Sequence, residues 1–215
     1  MYKHVLFDLD GTLTDSKEGI VKSIQYGLKK IGIDEQNEKL LESFVGPPLM
    51  TTFLHSYDLP EEKAQAAYKG FQERYAAVGI FENKVYPGIF ELLKCLQETQ
   101  IFTYIATSKP AVHAKRIAAH FGLDAYLTRI EGSSLGGTEE KAVIIGQVLQ
   151  SIGVYDEGTV VMVGDRKFDL IGAAKSGLPA IGVTYGYGSQ EELLSYHPAC
   201  MADSVEALLT ALIKK

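Results

Sequence analysis

The chain has 215 residues, 46% of them hydrophobic and 22% charged, the balance of a folded globular protein and not of a disordered or fibrous one. A formal charge of −6 with no Lys/Arg-rich run argues against a nucleic-acid backbone as partner, because phosphate contacts need clustered cations. Two cysteines predict neither a disulfide nor a zinc site, and no basic segment followed by a long apolar stretch marks a signal peptide or a membrane span, so the expected compartment is the cytoplasm.

Val5-Leu6-Phe7 is the first short apolar, β-branched run and reads as a buried strand. From about Asp15 to Val85 the pattern is instead a series of helices: Ser16 to Ile31, Asn37 to Phe44, Leu49 to Tyr57 and Glu61 to Val78. Gly32, Gly46-Pro47-Pro48 and Leu59-Pro60 separate them. This stretch, 15–84, is expected to be an inserted all-helical cap, hinged at Gly11 to Asp15 and Asn83 to Pro87. Beyond it, strand-like Phe102 to Ala106, Val160 to Val163 and Ala180 to Val183 alternate with helical Gly88 to Thr99, Ala111 to Phe121, Lys141 to Ile152 and Leu170 to Ser176. Strand alternating with helix predicts an α/β core of residues 1–14 and 85–215, a Rossmann-like parallel sheet with helices on both faces. Cys95, inside Leu92-Leu93-Lys94-Cys95-Leu96, is expected to be a buried thiol.

In open parallel sheets ligands bind beyond the carboxyl ends of the strands, so the polar residues at the end of each apolar run come first. Asp8 and Asp10 project to the same side of an extended chain, roughly 7 Å apart, a spacing that can straddle one phosphoryl group. One carboxylate can act as nucleophile while the other exchanges protons; Asp10-Gly11 read alone is equally a turn after a strand. Asp165 comes directly after Val160 to Gly164, and Asp169 stands one helical turn further on. Massed carboxylates repel unless a hard cation takes oxygen ligands from them, and Mg²⁺ is the natural occupant. Asp169 can alternatively be the acidic residue favoured near a helix N-terminus. Thr107 offers a hydroxyl and Ser108 a backbone N–H ahead of a helix near Pro110, which suits a phosphate or a helix cap. The loop from Glu131 to Gly137 leads to Lys141, whose charge opposes the dipole at a helix start. That placement suits charge neutralisation, or an ordinary surface lysine.

Taken in order, Asp8-Leu9-Asp10-Gly11-Thr12, Thr107, Lys141 and Gly164-Asp165-x-x-x-Asp169 resemble the four motifs of the haloacid dehalogenase-like superfamily across the whole chain. The helical insertion after the first motif is similar to the helical-cap subclass, and the layout resembles its phosphoglycolate phosphatase-like members. The resemblance implies a phosphatase acting on a small phosphorylated metabolite, phosphoglycolate-like or a nucleoside monophosphate, through an aspartyl-phosphate. It implies Asp8 as nucleophile, Asp10 as general acid/base, and Thr107 and Lys141 around the phosphoryl oxygens, where the Ser108 N–H is the further candidate. Mg²⁺ would be held by Asp8, the Asp10 backbone carbonyl and Asp165, with Asp169 as ligand or beside it. Arg166-Lys167 departs from the small polar residues of many relatives. A sugar phosphomutase of the same superfamily and a non-catalytic phospholigand-binding module are the alternatives.

The core motifs handle only the phosphoryl group, so selection among esters is expected from the cap. Gly46, in the stiff Phe44 to Leu49 segment, is the candidate specificity position, or a plain helix separator. Tyr185-Gly186-Tyr187-Gly188 is a possible rim of the site, or tyrosines packed on a glycine turn. A monomer or weak homodimer is expected.

Overall fold

A computed structural model of the chain describes residues 1–46, 49–135, 139–156 and 158–213. It divides into two compact units, Met1–Thr14 with Val85–Lys215, and Asp15–Lys84. In chain order the strands are β1 (His4–Phe7), β2 (Thr14–Asp15), β3 (Lys84–Val85), β4 (Phe102–Pro110), β5 (Arg129–Ser133), β6 (Val160–Gly164), β7 (Ala180–Val183) and β8 (Cys200–Ala202). The helices are α1 (Lys17–Lys30), α2 (Glu38–Ser43), α3 (Leu49–Ser56), α4 (Glu61–Ala77), α5 (Ile89–Glu98), α6 (Ala111–Phe121), α7 (Lys141–Ile152), α8 (Lys167–Lys175), α9 (Gln190–Leu194) and α10 (Val205–Ile213).

The larger unit is built on a six-stranded parallel sheet in the order β5-β4-β1-β6-β7-β8. The central strands consist of buried β-branched and aliphatic residues, as they must when helices cover both faces. Leu6, Ala106 and Met162 pack on one face against Ile144, Ile145 and Val148 of α7 and Leu170 of α8. Alternation turns Val5, Phe7, Ile105 and Val163 to the other face, equally buried, and α5 and α6 pack on β4. The fold is therefore the Rossmann-like α/β architecture that the strand–helix rhythm predicts.

Three boundaries differ from the sequence expectation. β4 does not stop at Ala106; it runs on to Pro110, with a break in register against β5 after Thr107. The stretch beginning at Glu131 does not open a loop. Its first residues belong to the edge strand β5, whose polar composition suits a half-exposed edge, while Gly136 and Gly137 lie outside the described residues. α8 starts at Lys167, ahead of Leu170, because Asp169 Oδ2 accepts the Arg166 N–H at 3.1 Å and so satisfies the start of the helix. Cys95 is half-buried where a buried thiol is expected, on the flank of α5.

The smaller unit is helical, around a core of Ile24, Leu28, Leu41, Phe44, Phe53, Ala64 and Ala67. α1 and α4 pack backbone to backbone at two glycines: a Cβ on Gly27 would lie 2.9 Å from Phe71 N, and one on Gly70 would lie 2.9 Å from Gly27 Cα. Asn37 caps α2 by accepting the Leu40 N–H at 3.2 Å. Among the described residues no helix is long and apolar enough to cross a membrane.

Candidate active site

The chain builds β1, then β4 and β5 to one side, and crosses to β6 on the other. The loops after β1 and β6 therefore diverge at a topological switch point, where open α/β sheets leave a crevice. Register sets what meets there: Phe7 stands between Ile105 and Val163, so the residues just beyond it emerge side by side. The Asp8 N–H donates to Val163 O at 2.9 Å, carrying the ladder one residue past β1.

Lys141 is the hub of the cluster that results. It is the first residue of α7 and only 6% exposed. Its Nζ lies 2.9 Å from Asp8 Oδ1 and 2.7 Å from Asp169 Oδ1, and donates to Ala106 O at 3.1 Å. An ammonium has three protons, and here three acceptors surround it, so Lys141 is not a surface lysine. Burial opposes its charge, but Asp169 and Asp8 hold its pKa above the ordinary lysine value. Gly172 of α8 makes room for it, since a Cβ there would lie 2.7 Å from Lys141 Cγ.

Asp165 is fully buried at the end of β6. Its Oδ2 accepts the Tyr187 N–H at 2.7 Å, and the Thr12 hydroxyl donates to Oδ1 at 3.4 Å. Glycines enclose it: a Cβ on Gly11 would lie 2.6 Å from its Cγ, and one on Gly186 would lie 2.5 Å from its Cβ. Burial first, and the neighbouring Asp169 and Asp8 charges next, push its pKa well above the usual carboxylate range. Burial raises Asp169 to about 6 against the opposing pull of Lys141. Asp169 also caps α8, so the helix-start and cluster readings of this residue hold together.

Asp8, Asp165 and Asp169 bring ligand oxygens within 4.8 Å of one another. Lys141 faces only two of the three, so the cluster carries more negative charge than its neighbours balance. A small, buried, all-oxygen, anionic donor set of this kind fits a hard divalent cation.

The other predicted positions divide. The Asp10 carboxylate stands outside the three-carboxylate cluster, with Oδ2 2.7 Å from Lys109 Nζ. Thr107 is buried at the end of the regular part of β4, and its Oγ1 accepts the Lys109 N–H at 3.2 Å, an arrangement that leaves the hydroxyl proton to be donated. The Ser108 carbonyl accepts the Ser133 hydroxyl at 2.9 Å, tying it to β5. Gly46 belongs to the smaller unit and has φ +109°, while Pro47 and Pro48 lie outside the described residues.

Five participants have roles that the sequence signals weakly or not at all. Lys109 is visible there only as part of a polar run, although it lies two residues past Thr107, the strand period. Thr12 and the Tyr187 N–H reach Asp165 across 153 and 22 residues of chain; the first motif and the Tyr185-Gly186-Tyr187-Gly188 segment include them, but nothing local marks the contact itself. Tyr185 anchors the glycine-rich segment by donating its hydroxyl to Thr12 O at 3.1 Å and packing edge-on against Tyr86. Glu192 explains Arg166-Lys167: it accepts from Arg166 Nε at 3.0 Å and from the Lys167 N–H at 2.9 Å, pinning the start of α8 to α9.

Comparison with known proteins gives this geometry a context. Residues 5–183 match the family described as haloacid dehalogenase-like hydrolase. A 5'-nucleotidase of Pseudomonas aeruginosa is 44% identical over 208 residues, 96% of this chain and 94% of that protein. The tyrosine-protein kinase PtkA of Mycobacterium tuberculosis is 38% identical over 185 residues, 86% of this chain but only 62% of that protein. A crystal structure of a putative phosphatase from Clostridium difficile superimposes with a TM-score of 0.93 at 47% identity, covering 99% of both chains.

Proposed function

The chain belongs to the haloacid dehalogenase-like hydrolase family, and on that footing we propose that it is a Mg²⁺-dependent phosphatase that removes the phosphate of a small monoester through an aspartyl-phosphate on Asp8. The observation that carries this reading is the buried trio of Asp8, Asp165 and Asp169 at the ends of β1 and β6, with Lys141 set against Asp8 and Asp169.

Asp8, Asp165 and Asp169 would hold Mg²⁺, with the Asp10 backbone carbonyl. When bound, the ion neutralises phosphoryl charge and acts as a Lewis acid. The Asp8 carboxylate oxygen attacks phosphorus as the bond to the leaving oxygen breaks, and Asp10 gives that oxygen its proton. Asp10 then takes a proton from water, whose oxygen attacks phosphorus while the bond to Asp8 breaks and phosphate leaves. Lys141 orients the nucleophile and offers positive charge to the phosphoryl oxygens, alongside the Thr107 hydroxyl and the Ser108 N–H.

The similarity to the 5'-nucleotidase favours a nucleoside 5'-monophosphate over phosphoglycolate as the ester. We place the enzyme in the cytoplasm as a monomer or weak homodimer acting on a free metabolite, without nucleic acid or membrane. The test is phosphate release with Mg²⁺ from p-nitrophenyl phosphate, nucleoside 5'-monophosphates, phosphoglycolate, sugar phosphates and pyrophosphate, beside an Asp8→Asn control. The highest kcat/KM is expected on a nucleoside monophosphate, and no turnover with Asp8→Asn. Release from none of these esters, or a fully active Asp8→Asn, overturns the reading.

A further inference from the structure

Two lysines divide the carboxylates after β1 between them: Lys141 takes Asp8, and Lys109 takes Asp10. Only the first of these lysines has a part in the proposed chemistry. Lys109 is nearly as deeply placed, with 6% of its side chain exposed against 4% for Lys141, and it is fixed at both ends. Its N–H is held by Thr107 Oγ1 at 3.2 Å, and its Nζ reaches Asp10 Oδ2 at 2.7 Å. Its carbonyl lies so close to Gly132 of β5 that a Cβ there would overlap it, so the neighbouring strand also sets where the Lys109 backbone runs. On Asp10, Oδ2 is engaged while Oδ1 is buried and has no hydrogen-bond partner among the described residues. A buried carboxylate oxygen left unmatched is costly for a purely structural ion pair, and is what a proton-exchanging oxygen requires.

We infer that Lys109 is a positioning residue for Asp10: it grips Oδ2, fixes the plane of the carboxylate, and leaves Oδ1 as the oxygen that exchanges the proton with the leaving group and then with water. This rests on the proposed acid/base role of Asp10. The consequence is specific, because aim matters most where the leaving group needs its proton. A displacement of about 1 Å can cost about 100-fold in rate, and an ester whose leaving oxygen is a stable anion needs no acid to depart.

The experiment uses the full chain with Mg²⁺ and compares Lys109→Met, Lys109→Arg, Asp10→Asn and the Asp10→Asn/Lys109→Met double variant on p-nitrophenyl phosphate and on glycerol 2-phosphate, an alkyl ester. Lys109→Met is expected to lower kcat on the alkyl ester by about 100-fold with KM changed by less than about threefold. Its first turnover of p-nitrophenyl phosphate should be far less affected, giving a burst of p-nitrophenolate ahead of slowed dephosphorylation. Lys109→Arg should recover most of the alkyl-ester rate, and the double variant should be no slower than Asp10→Asn. A raised KM with kcat intact would make Lys109 a substrate-binding cation, and equal losses on both esters in the first turnover, or additive losses in the double variant, would equally overturn the inference. If Asp10→Asn hydrolyses the alkyl ester at the wild-type rate, the acid/base reading itself fails; if Asp10→Asn is impaired and Lys109→Met is not, only the role of Lys109 falls. Should Lys109→Met fail to fold, Lys109→Gln, whose shorter neutral side chain weakens the grip on Asp10, takes its place with the same direction of ester dependence and a smaller loss.

Discussion

Asp165 occupies the space that a side chain on Gly11 would need, since a Cβ there would fall 2.6 Å from Asp165 Cγ. Gly11 also has φ +81°, and Gly32 in the helical unit has nearly the same φ, +85°, with nothing within 4 Å of where a Cβ would stand. The pair separates backbone strain from damage to the site. Gly32→Ala should cost about 1 kcal/mol in denaturant unfolding and leave turnover unchanged. Gly11→Ala should add a loss of activity of at least about tenfold and a weaker response to Mg²⁺, because it displaces a carboxylate of the cluster. Equal activity in the two variants would show that Asp165 has room to move without consequence.

Removing the Lys141 charge strands two buried carboxylates. Lys141→Met should therefore lower unfolding free energy by about 3 kcal/mol or more and abolish phosphate release. Lys175→Met, which breaks an exposed pair with Glu140, should change stability by less than about 1 kcal/mol. Denaturant titrations in which the two variants matched would mean that the buried cluster does not depend on its lysine.

The acidic trio also sets a pH dependence for the metal-free protein. Asp165 and Asp169 titrate above their ordinary 3.8, Asp169 at about 6, so the folded chain keeps protons that the unfolded chain has released. Their contribution to stability is full at low pH; that of Asp169 is lost as pH rises from 3.8 through about 6, and that of Asp165 as pH rises well above 3.8. A cation that binds the ionised oxygens should restore what is lost. After EDTA treatment, Mg²⁺ should raise Tm more at pH 8 than at pH 5. The same shift at both pH values would exclude these carboxylates as the site of binding.

Specificity is the test for the helical unit. Gly46 has φ +109°, so Gly46→Val would strain the backbone and confuse specificity with stability. Gly46→Asn is less strained than Gly46→Val, but φ +109° lies beyond the left-handed region that asparagine favours, so some fall in Tm is expected. If Gly46 meets the leaving group, this variant should change the ratio of kcat/KM between a nucleoside monophosphate and p-nitrophenyl phosphate by about tenfold, a readout that a uniform loss of folded enzyme does not move. An unchanged ratio would make Gly46 a helix separator only.

Much of the fold and part of the site are legible along the chain. Buried parallel strands must be runs of apolar residues, so β1, β6 and β7 stand out, and Asp8 and Asp165 stand out with them because each comes directly after such a run. The helices are visible through their 3.6-residue period, and α6 and α7 have the expected bounds. The edge strand β5 is hidden because an edge buries little and so carries no apolar run, and β8 because its three residues are too few to form one. The extension of β4 past Thr107 is hidden because its pairing with β5 is irregular there.

Residue type and order by themselves determined the class of fold, the family and the carboxylates that crowd one sheet edge, since these depend on local period and on the residue types placed at strand ends. Only the tertiary structure decided which charge each carboxylate meets. Lys141 joins Asp8 to Asp169, Lys109 takes Asp10, and Gly11 and Gly186 close on Asp165. Those pairings depend on how the strands and the loops after them come together, at separations from 21 to 154 positions, and contacts at that range leave no periodic trace in the sequence.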